Sequence, residues 1–153
     1  MTIRPITTDD LPALLEMGRE FHRFARSAER GLGYNEDDVA GTLGALSSAD
    51  FVRVADVGGE PVGVVAAVAV PWPCNHADVM VQEVWLWAHY NAPAGTGQAL
   101  VDAMTEWGRE KEARCVMLGQ HLTGDLRRDV AMARMYRRMG FRPVETNHAL
   151  VLS

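Results

Sequence analysis

Short runs in which apolar and polar residues alternate occur at the start and in the middle of the chain, with stretches of helical spacing between them. Residues 2–6 alternate weakly and predict a short strand. After it, Thr8 or Asp10 can cap a helix that carries Leu11, Leu14, Leu15, Gly18, Phe21 and Ala25 on one stripe. Pro12 falls in the first turn of that helix, where a missing N–H costs little. Gly31-Leu32-Gly33 breaks the chain, and Asn35 followed by Glu36, Asp37 and Asp38 opens a shorter helix whose Val39, Leu43 and Leu46 face inward. The segment between these helices is a candidate substrate-facing loop.

Residues 51–55 and 62–70 are rich in β-branched side chains and flank Gly58-Gly59-Glu60, which signals a hairpin. Pro71-Trp72-Pro73 ends its second strand, and a further strand is predicted over residues 80–88. A helix over 95–112 places Leu100, Met104 and Trp107 on its apolar side. Residues 115–118 read as a buried strand, 126–139 as a helix stopped by Gly140, and 141–152 as one or two closing strands. The order, βααββ followed by βαβαβ, is neither a plain doubly wound fold nor a helix bundle. It implies an α/β (α+β) domain with a mixed sheet and helices on both faces.

At 153 residues and 48% hydrophobic composition, the chain suits one domain, 1–153, with one sizeable core. A net charge of −5 and a pI near 5.5 give no electrostatic reason to expect nucleic acid or an anionic membrane as partner, and suit a cationic or amine-bearing substrate better. The opening Met1-Thr2-Ile3-Arg4-Pro5-Ile6 has neither the apolar core of a signal peptide nor a membrane span, which leads to an expectation of a cytoplasmic protein. Cys74 and Cys115 match no metal-ligand spacing and are expected to be buried free thiols; His22, His76 and His121 show no such spacing either, and no metal is expected.

The segment running from Glu83 through Trp85, Trp87 and His89 to Gly95-Thr96-Gly97-Gln98 has the make-up of an anion site at a strand-to-helix junction. Glycines let the backbone approach a phosphate closely, the free N–H groups of a first helical turn point at it, and Thr96 adds a hydroxyl. Taken alone, G-x-G after a strand serves tight turns and helix caps equally well. A second segment, Met135-Tyr136-Arg137-Arg138-Met139-Gly140-Phe141, narrows the choice.

Together the two segments resemble the GNAT acyltransferase superfamily, in which a Q/R-x-x-G-x-G/A turn grips the CoA pyrophosphate and a Y-x-x-x-G-F segment follows further along the chain. Ile3-Arg4-Pro5 and Asp9-Asp10-Leu11 look like the family's first strand and helix. The resemblance covers essentially the whole chain and is nearest to small bacterial and phage-type members. It implies a GNAT-like mixed central sheet of six to seven strands flanked by about four helices, with acetyl-CoA as cosubstrate and an acetyl group passed to a primary amine of a small molecule or peptide. The pyrophosphate would lie against the amides of Ala94, Gly95, Thr96, Gly97 and Gln98, and backbone groups near Trp87, Ala88 and His89 would pair with pantetheine like an added strand. One position departs from the pattern. Ala92 stands where the family has Gln or Arg, Pro93 beside it has no N–H, and no Lys or Arg lies between Met80 and Val101; Arg127, Arg128 or Arg134 could compensate.

Glu83 is the candidate general base. A carboxylate in an otherwise apolar strand is costly unless paired or useful, its surroundings would raise its pKa, and histone-acetylating members carry a Glu in a similar stretch. By strict alternation Trp85 and Trp87 share its face, which suggests an aromatic wall beside the reacting amine; a family-type bulge would disturb that alternation, and tryptophan as ordinary core is the equal alternative. Tyr136 is implied as general acid toward the departing thiolate, with a buried, hydrogen-bonded tyrosine as the plain alternative. His89 is an alternative base. A non-catalytic acyl-CoA-binding module of the same fold and a nucleotide-binding α/β domain stay open as rivals, as does a homodimer.

Overall fold

The computed structural model describes residues 1–121 and 125–152, with the side chain of Arg128 outside the described set. The chain falls into two compact units, Met1–Gly18 with Asn35–Leu118, and Arg19–Tyr34 with Gly119–Ser153. Its elements are strands β1 (Thr2–Pro5), β2 (Phe51–Val57), β3 (Glu60–Trp72), β4 (Asn75–Ala88) and β5 (Cys115–Met117), and helices α1 (Leu11–Phe24), α2 (Glu36–Ala49), α3 (Thr96–Glu110) and α4 (Leu126–Arg138).

The first unit is built on one sheet in the order β1-β2-β3-β4-β5. Its first four strands are antiparallel neighbours, and β5 runs parallel to β4. The β2–β3 hairpin turns at Gly58 and Gly59, both at positive φ (67° and 96°), the region that a tight hairpin turn requires. The Asp56 carboxylate accepts the Gly59 N–H at 2.9 Å and fixes that turn. α2 starts where Asn35 Oδ1 accepts the Asp38 N–H at 3.0 Å, an N-cap of the predicted kind. α3 packs on the sheet through Leu100 and Met104, both fully buried, and Trp107, which stacks on Phe51 with ring centroids 5.0 Å apart. Val52, Val54, Val64, Val65 and Val81 complete the core from the strands.

One polar cluster lies in this apolar setting. Arg4 of β1 donates two hydrogen bonds to Asp10, at 2.7 and 2.8 Å, and one to Asp56 at 2.8 Å. Asp10 also accepts the Thr7 N–H at 2.7 Å. The cluster ties β1, the 3₁₀ turn Thr8–Asp10 and the end of β2 together. The guanidinium holds the Asp10 carboxyl well below the usual range, to about 2, and the Gly59 N–H followed by Arg4 lowers that of Asp56.

In the second unit α4 ends in a Schellman arrangement. Gly140 adopts φ 90°, the Phe141 N–H reaches the Tyr136 carbonyl at 3.0 Å, and the Gly140 N–H reaches that of Arg137 at 3.0 Å. Phe141 comes to lie beside the Tyr136 ring, centroids 6.2 Å apart. His121 packs edge-on against Phe21 at 5.1 Å, and burial, with Arg30 second, lowers its pKa.

The structure departs from four expectations. The described sheet has five strands, because residues 141–152 form none. Pro143 has no N–H for a ladder, the polar run Glu145-Thr146-Asn147-His148 breaks the alternation, and these residues are almost all exposed. β4 begins at Asn75, since the chain turns tightly after Pro73 and pairs back along β3. The N-cap of the first helical segment is Thr7, and Asp10 completes its capping box by accepting the Thr7 N–H while also binding Arg4. Both free cysteines are exposed, Cys74 in the β3–β4 turn and Cys115 at the start of the edge strand.

Asp10 has a folded pKa below its unfolded value, so its contribution is fully present above about pH 4 and is lost as pH falls toward 2. Asp10→Asn leaves Arg4 half-compensated and is expected to cost about 2–4 kcal/mol at pH 7. Urea unfolding from pH 7 down to pH 2.5 should show wild type and variant converging at the acid end. A constant gap would contradict the linkage.

Candidate active site

The strand that carries Glu83 changes partners along its length. Over Met80, Val81 and Gln82 it pairs with β5, in register with Cys115, Val116 and Met117, and there the β4–β5 ladder ends. Toward β3 the pairing continues to Ala88, and the His89 N–H adds one more bond to the Val62 carbonyl at 3.0 Å. Among the described residues, β4 beyond Gln82 therefore has a strand on one side only.

Within that stretch β4 carries a bulge. Ala67 is opposite Glu83 and Ala66 is opposite Trp85, so Val84 is the extra residue and is left exposed. Glu83 thereby shares a ladder row with Ala67 and Phe51, while Trp85 and Trp87 fall in the rows of Ala66 and Val64. Adjacent rows point to opposite faces, so the expected aromatic wall beside Glu83 is not formed. Trp85 is core, and Glu83 is half-buried.

β4 runs into a compact turn. The Ala92 N–H bonds the His89 carbonyl at 3.0 Å, and Gly95, at φ 88°, N-caps α3. A left-handed cap of this kind costs least with glycine. Pro93 donates nothing, but its carbonyl accepts both the Thr96 N–H at 3.1 Å and the Thr96 hydroxyl at 2.7 Å. The Thr96 side chain is buried and its hydroxyl faces the turn, so the expectation of a hydroxyl offered to a phosphate is corrected. Among the described residues, no hydrogen bond takes up the N–H of Ala94, Gly95, Gly97 or Gln98. These four amides at the positive end of a 15-residue helix are what the turn can offer an anion. The Gln98 side chain is tied to Asp102 at 2.8 Å.

Gly63 of β3, which sequence reasoning passed over, seats this turn. A Cβ there would lie 3.0 Å from the Trp87 carbonyl oxygen and 3.1 Å from both Leu100 Cδ1 and Thr96 Cγ2. The missing side chain lets the start of α3 close against the end of β4. A glycine inside the β-branched run Val62-Gly63-Val64-Val65 was the signal for such a close approach.

Glu83, Trp87, Ala88, His89, Ala94, Gly95, Thr96, Gly97 and Gln98 all belong to the first unit. Tyr136 belongs to the second, where its hydroxyl donates to the Gly119 carbonyl at 3.3 Å. Arg127 and Arg134 are exposed there, and the side chain of Arg128 lies outside the described residues. No group of three His, Cys, Asp or Glu among the described residues is placed to hold a metal ion, and no described helix is long and apolar enough to cross a membrane.

No protein-family model and no curated protein matches the chain. Solved structures do. An acetyltransferase of Trypanosoma brucei superposes with a TM-score of 0.73 at 19% identity, covering 99% of each chain. A transcriptional regulator from Bacillus halodurans gives 0.75 at 21%, covering 97% of each. A predicted acetyltransferase from Clostridium acetobutylicum, solved with acetyl-CoA, gives 0.68 at 11%, covering 97% of this chain and 94% of that one. The fold is that of the GNAT N-acetyltransferases, a mixed α/β architecture.

Two glycine substitutions separate fold from site. Gly63→Ala is expected to cost about 1–3 kcal/mol in denaturant unfolding, because β4 or α3 must move. Nothing lies within 4 Å of a Cβ at Gly97, so Gly97→Ala should leave stability unchanged or raise it slightly. Equal losses in the two variants would contradict the close approach.

Proposed function

We propose that the chain is a single acyl-CoA-dependent domain, 1–153, which transfers an acetyl group from acetyl-CoA to a primary amine of a small molecule or peptide in the cytoplasm. The observation that carries this reading is the junction itself. β4 leaves β5 after Gln82 and then delivers the chain to a glycine-capped helix start whose amides, among the described residues, take no hydrogen bond. That juxtaposition suits an extended donor with an amide-bearing arm and a phosphate end, the arm lying along β4 and the phosphates over Ala94 to Gln98. The acetyl-CoA held by the Clostridium structure is in keeping with it.

In the mechanism, donor and amine bind together. Glu83, directly or through a water, takes the ammonium proton, and the amine nitrogen attacks the thioester carbonyl. A backbone N–H near Trp87 or Ala88 stabilises the oxyanion, the C–S bond breaks as the amide forms, the thiolate takes a proton from Tyr136, and the second proton lost by the attacking nitrogen passes through solvent to restore the tyrosine. The role of Tyr136 rests on the resemblance of its segment alone. A second reading, a non-catalytic acyl-CoA-binding module, draws on the cation-free turn at Ala92-Pro93. Binding of CoA with no acetyl transfer across a broad panel of amines would favour it.

The donor assignment is tested by thermal unfolding. CoA and acetyl-CoA should raise Tm by mass action, and Gly97→Asp, which puts a carboxylate where the phosphate belongs, should abolish the effect. Stabilisation by NAD or ATP with none from millimolar CoA would overturn it.

The two proton transfers separate in kinetics. Glu83→Gln should keep CoA binding and lower the rate at neutral pH, with partial recovery at higher pH as the amine loses its proton unaided. Tyr136→Phe should lower kcat by roughly 10²-fold with acetyl-CoA and far less with a thioester of low-pKa thiol, which needs no proton to leave. An unchanged pH–rate profile would assign Glu83 to structure, and equal slowing of both donors would assign the Tyr136 hydroxyl to positioning.

A further inference from the structure

The segment between α1 and α2 is built around a tight 3₁₀ turn, Ser27–Arg30. Left-handed residues bound it on both sides, Gly31 at φ 74° and Arg26 at φ 52°, the second outside the ordinary range of a residue with a side chain. Such a backbone persists where its surroundings over-determine it, as they often do at binding sites. The Gly31 N–H on the Ala28 carbonyl at 3.0 Å and the Leu32 N–H on that of Ser27 at 3.1 Å hold the turn. Within it Arg26 pairs with Glu29 at 2.8 Å, both side chains exposed, so the turn's own carboxylate is already engaged. Ser27 is buried, and Arg30 reaches back to it.

This leaves the charge of Arg30 uncompensated. Its Nη2–H donates to the Ser27 hydroxyl oxygen at 3.2 Å, a long contact with a neutral group, while its Nε–H is buried with no acceptor. Among the described residues no ion pair engages it. A half-buried guanidinium in this condition has lost water along one edge and gained no anion along the other, which is costly. The half-buried His121 ring, packed edge-on against Phe21 at 5.1 Å, lies within reach of that charge. Burial, and after it the charge of Arg30, lowers the His121 pKa, so the imidazole is neutral near pH 7. Phe21, Ser27, Arg30 and His121 all belong to the second unit.

We infer that Arg30 and His121 form a binding site for the carboxylate of a small molecule. The planar guanidinium offers paired N–H groups to two oxygens in one plane, a match to a carboxylate that an ammonium lacks. A neutral imidazole adds a further donor without a second charge. One positive charge suits a monoanion, whereas a phosphate dianion would bring a surplus negative charge into partly apolar surroundings beside the Phe21 ring. The bound carboxylate compensates the guanidinium along its open edge. It also reverses the field at His121, from one that disfavours the imidazolium to one that favours it.

The site is tested by NMR titration of the histidine rings in the full chain, with His121→Asn identifying the His121 signal. Acetate and N-acetylglycine are added at constant ionic strength, beside chloride, inorganic phosphate and a glutamate-rich peptide. Both small carboxylates should move the His121 signal saturably, with half-saturation below about 50 mM, and raise its titration midpoint by about 0.5–1 pH unit. His76 and His89, in the first unit, should not respond. Arg30→Gln should abolish the response with the remaining spectrum unchanged, and Arg30→Lys, which keeps the charge and loses the fork, should weaken it several-fold. If the variants do not fold, the wild-type titration decides by itself. No saturable shift of His121 at about 200 mM of either carboxylate would overturn the inference. An equal response to chloride or phosphate would show a site for any anion, and a response to the peptide alone would show a protein-docking surface. A shift retained in folded Arg30→Gln would place the carboxylate elsewhere, and each of these three results would overturn the inference too.

Discussion

The close approach at Gly63 is the contact on which the proposed donor half of the site depends. The β3 backbone there has the Trp87 carbonyl, Leu100 and Thr96 within the distance of a missing Cβ. One hydrogen atom in place of a methyl group allows β4 to end, and α3 to begin, against the same point of the sheet. The Thr96 bonds to the Pro93 carbonyl then close the turn, and Gly95 directs the chain into the helix. Thr96 is the buried residue of the first turn, and among the described residues the amides of Gly97 and Gln98 take no hydrogen bond.

Two further features give the site its chemical character. The bulge at Val84 puts Glu83 in a different ladder row from Trp85, so the carboxylate stays half-buried while the tryptophan joins the core. The end of the β4–β5 ladder at Gln82 lies one residue before Glu83, so the candidate base stands where the sheet opens. Within residues 54–108, which contain no Lys or Arg, the helix dipole and a few amides of the turn are what an anion could meet. The Arg4 cluster, by contrast, serves the fold. It joins the first strand, the first helical turn and the hairpin corner.

Much of this was legible in the sequence because periodicity and turn chemistry report local structure. Asn35 capped α2 as expected, Gly58-Gly59 turned the hairpin, and Gly140 stopped α4 through the left-handed conformation that a Y-x-x-x-G-F segment needs. What was not legible depends on partners distant in sequence. Asp10 reads as an N-cap, whereas it closes the capping box of Thr7 and binds Arg4 of β1 besides. Strict alternation gives Glu83 the face of Trp85, and the bulge that the family resemblance left open, whose position no local pattern marks, undoes that assignment. Thr96 offers a hydroxyl on paper, but a neighbouring carbonyl takes it. Cys74 and Cys115 sit among apolar residues yet fall at a turn and on an edge strand, where neighbours in sequence do not enclose them.

The most direct test of the central claim is an amide NMR titration with CoA. The account predicts that the largest shifts and the strongest protection from exchange fall on Gly95, Gly97 and Gln98, with a second set along residues 85–89 where the pantetheine arm would lie. It also predicts that pantetheine alone reproduces the second set. Shifts confined to other elements, or an undisturbed glycine turn at saturating CoA, would contradict the account.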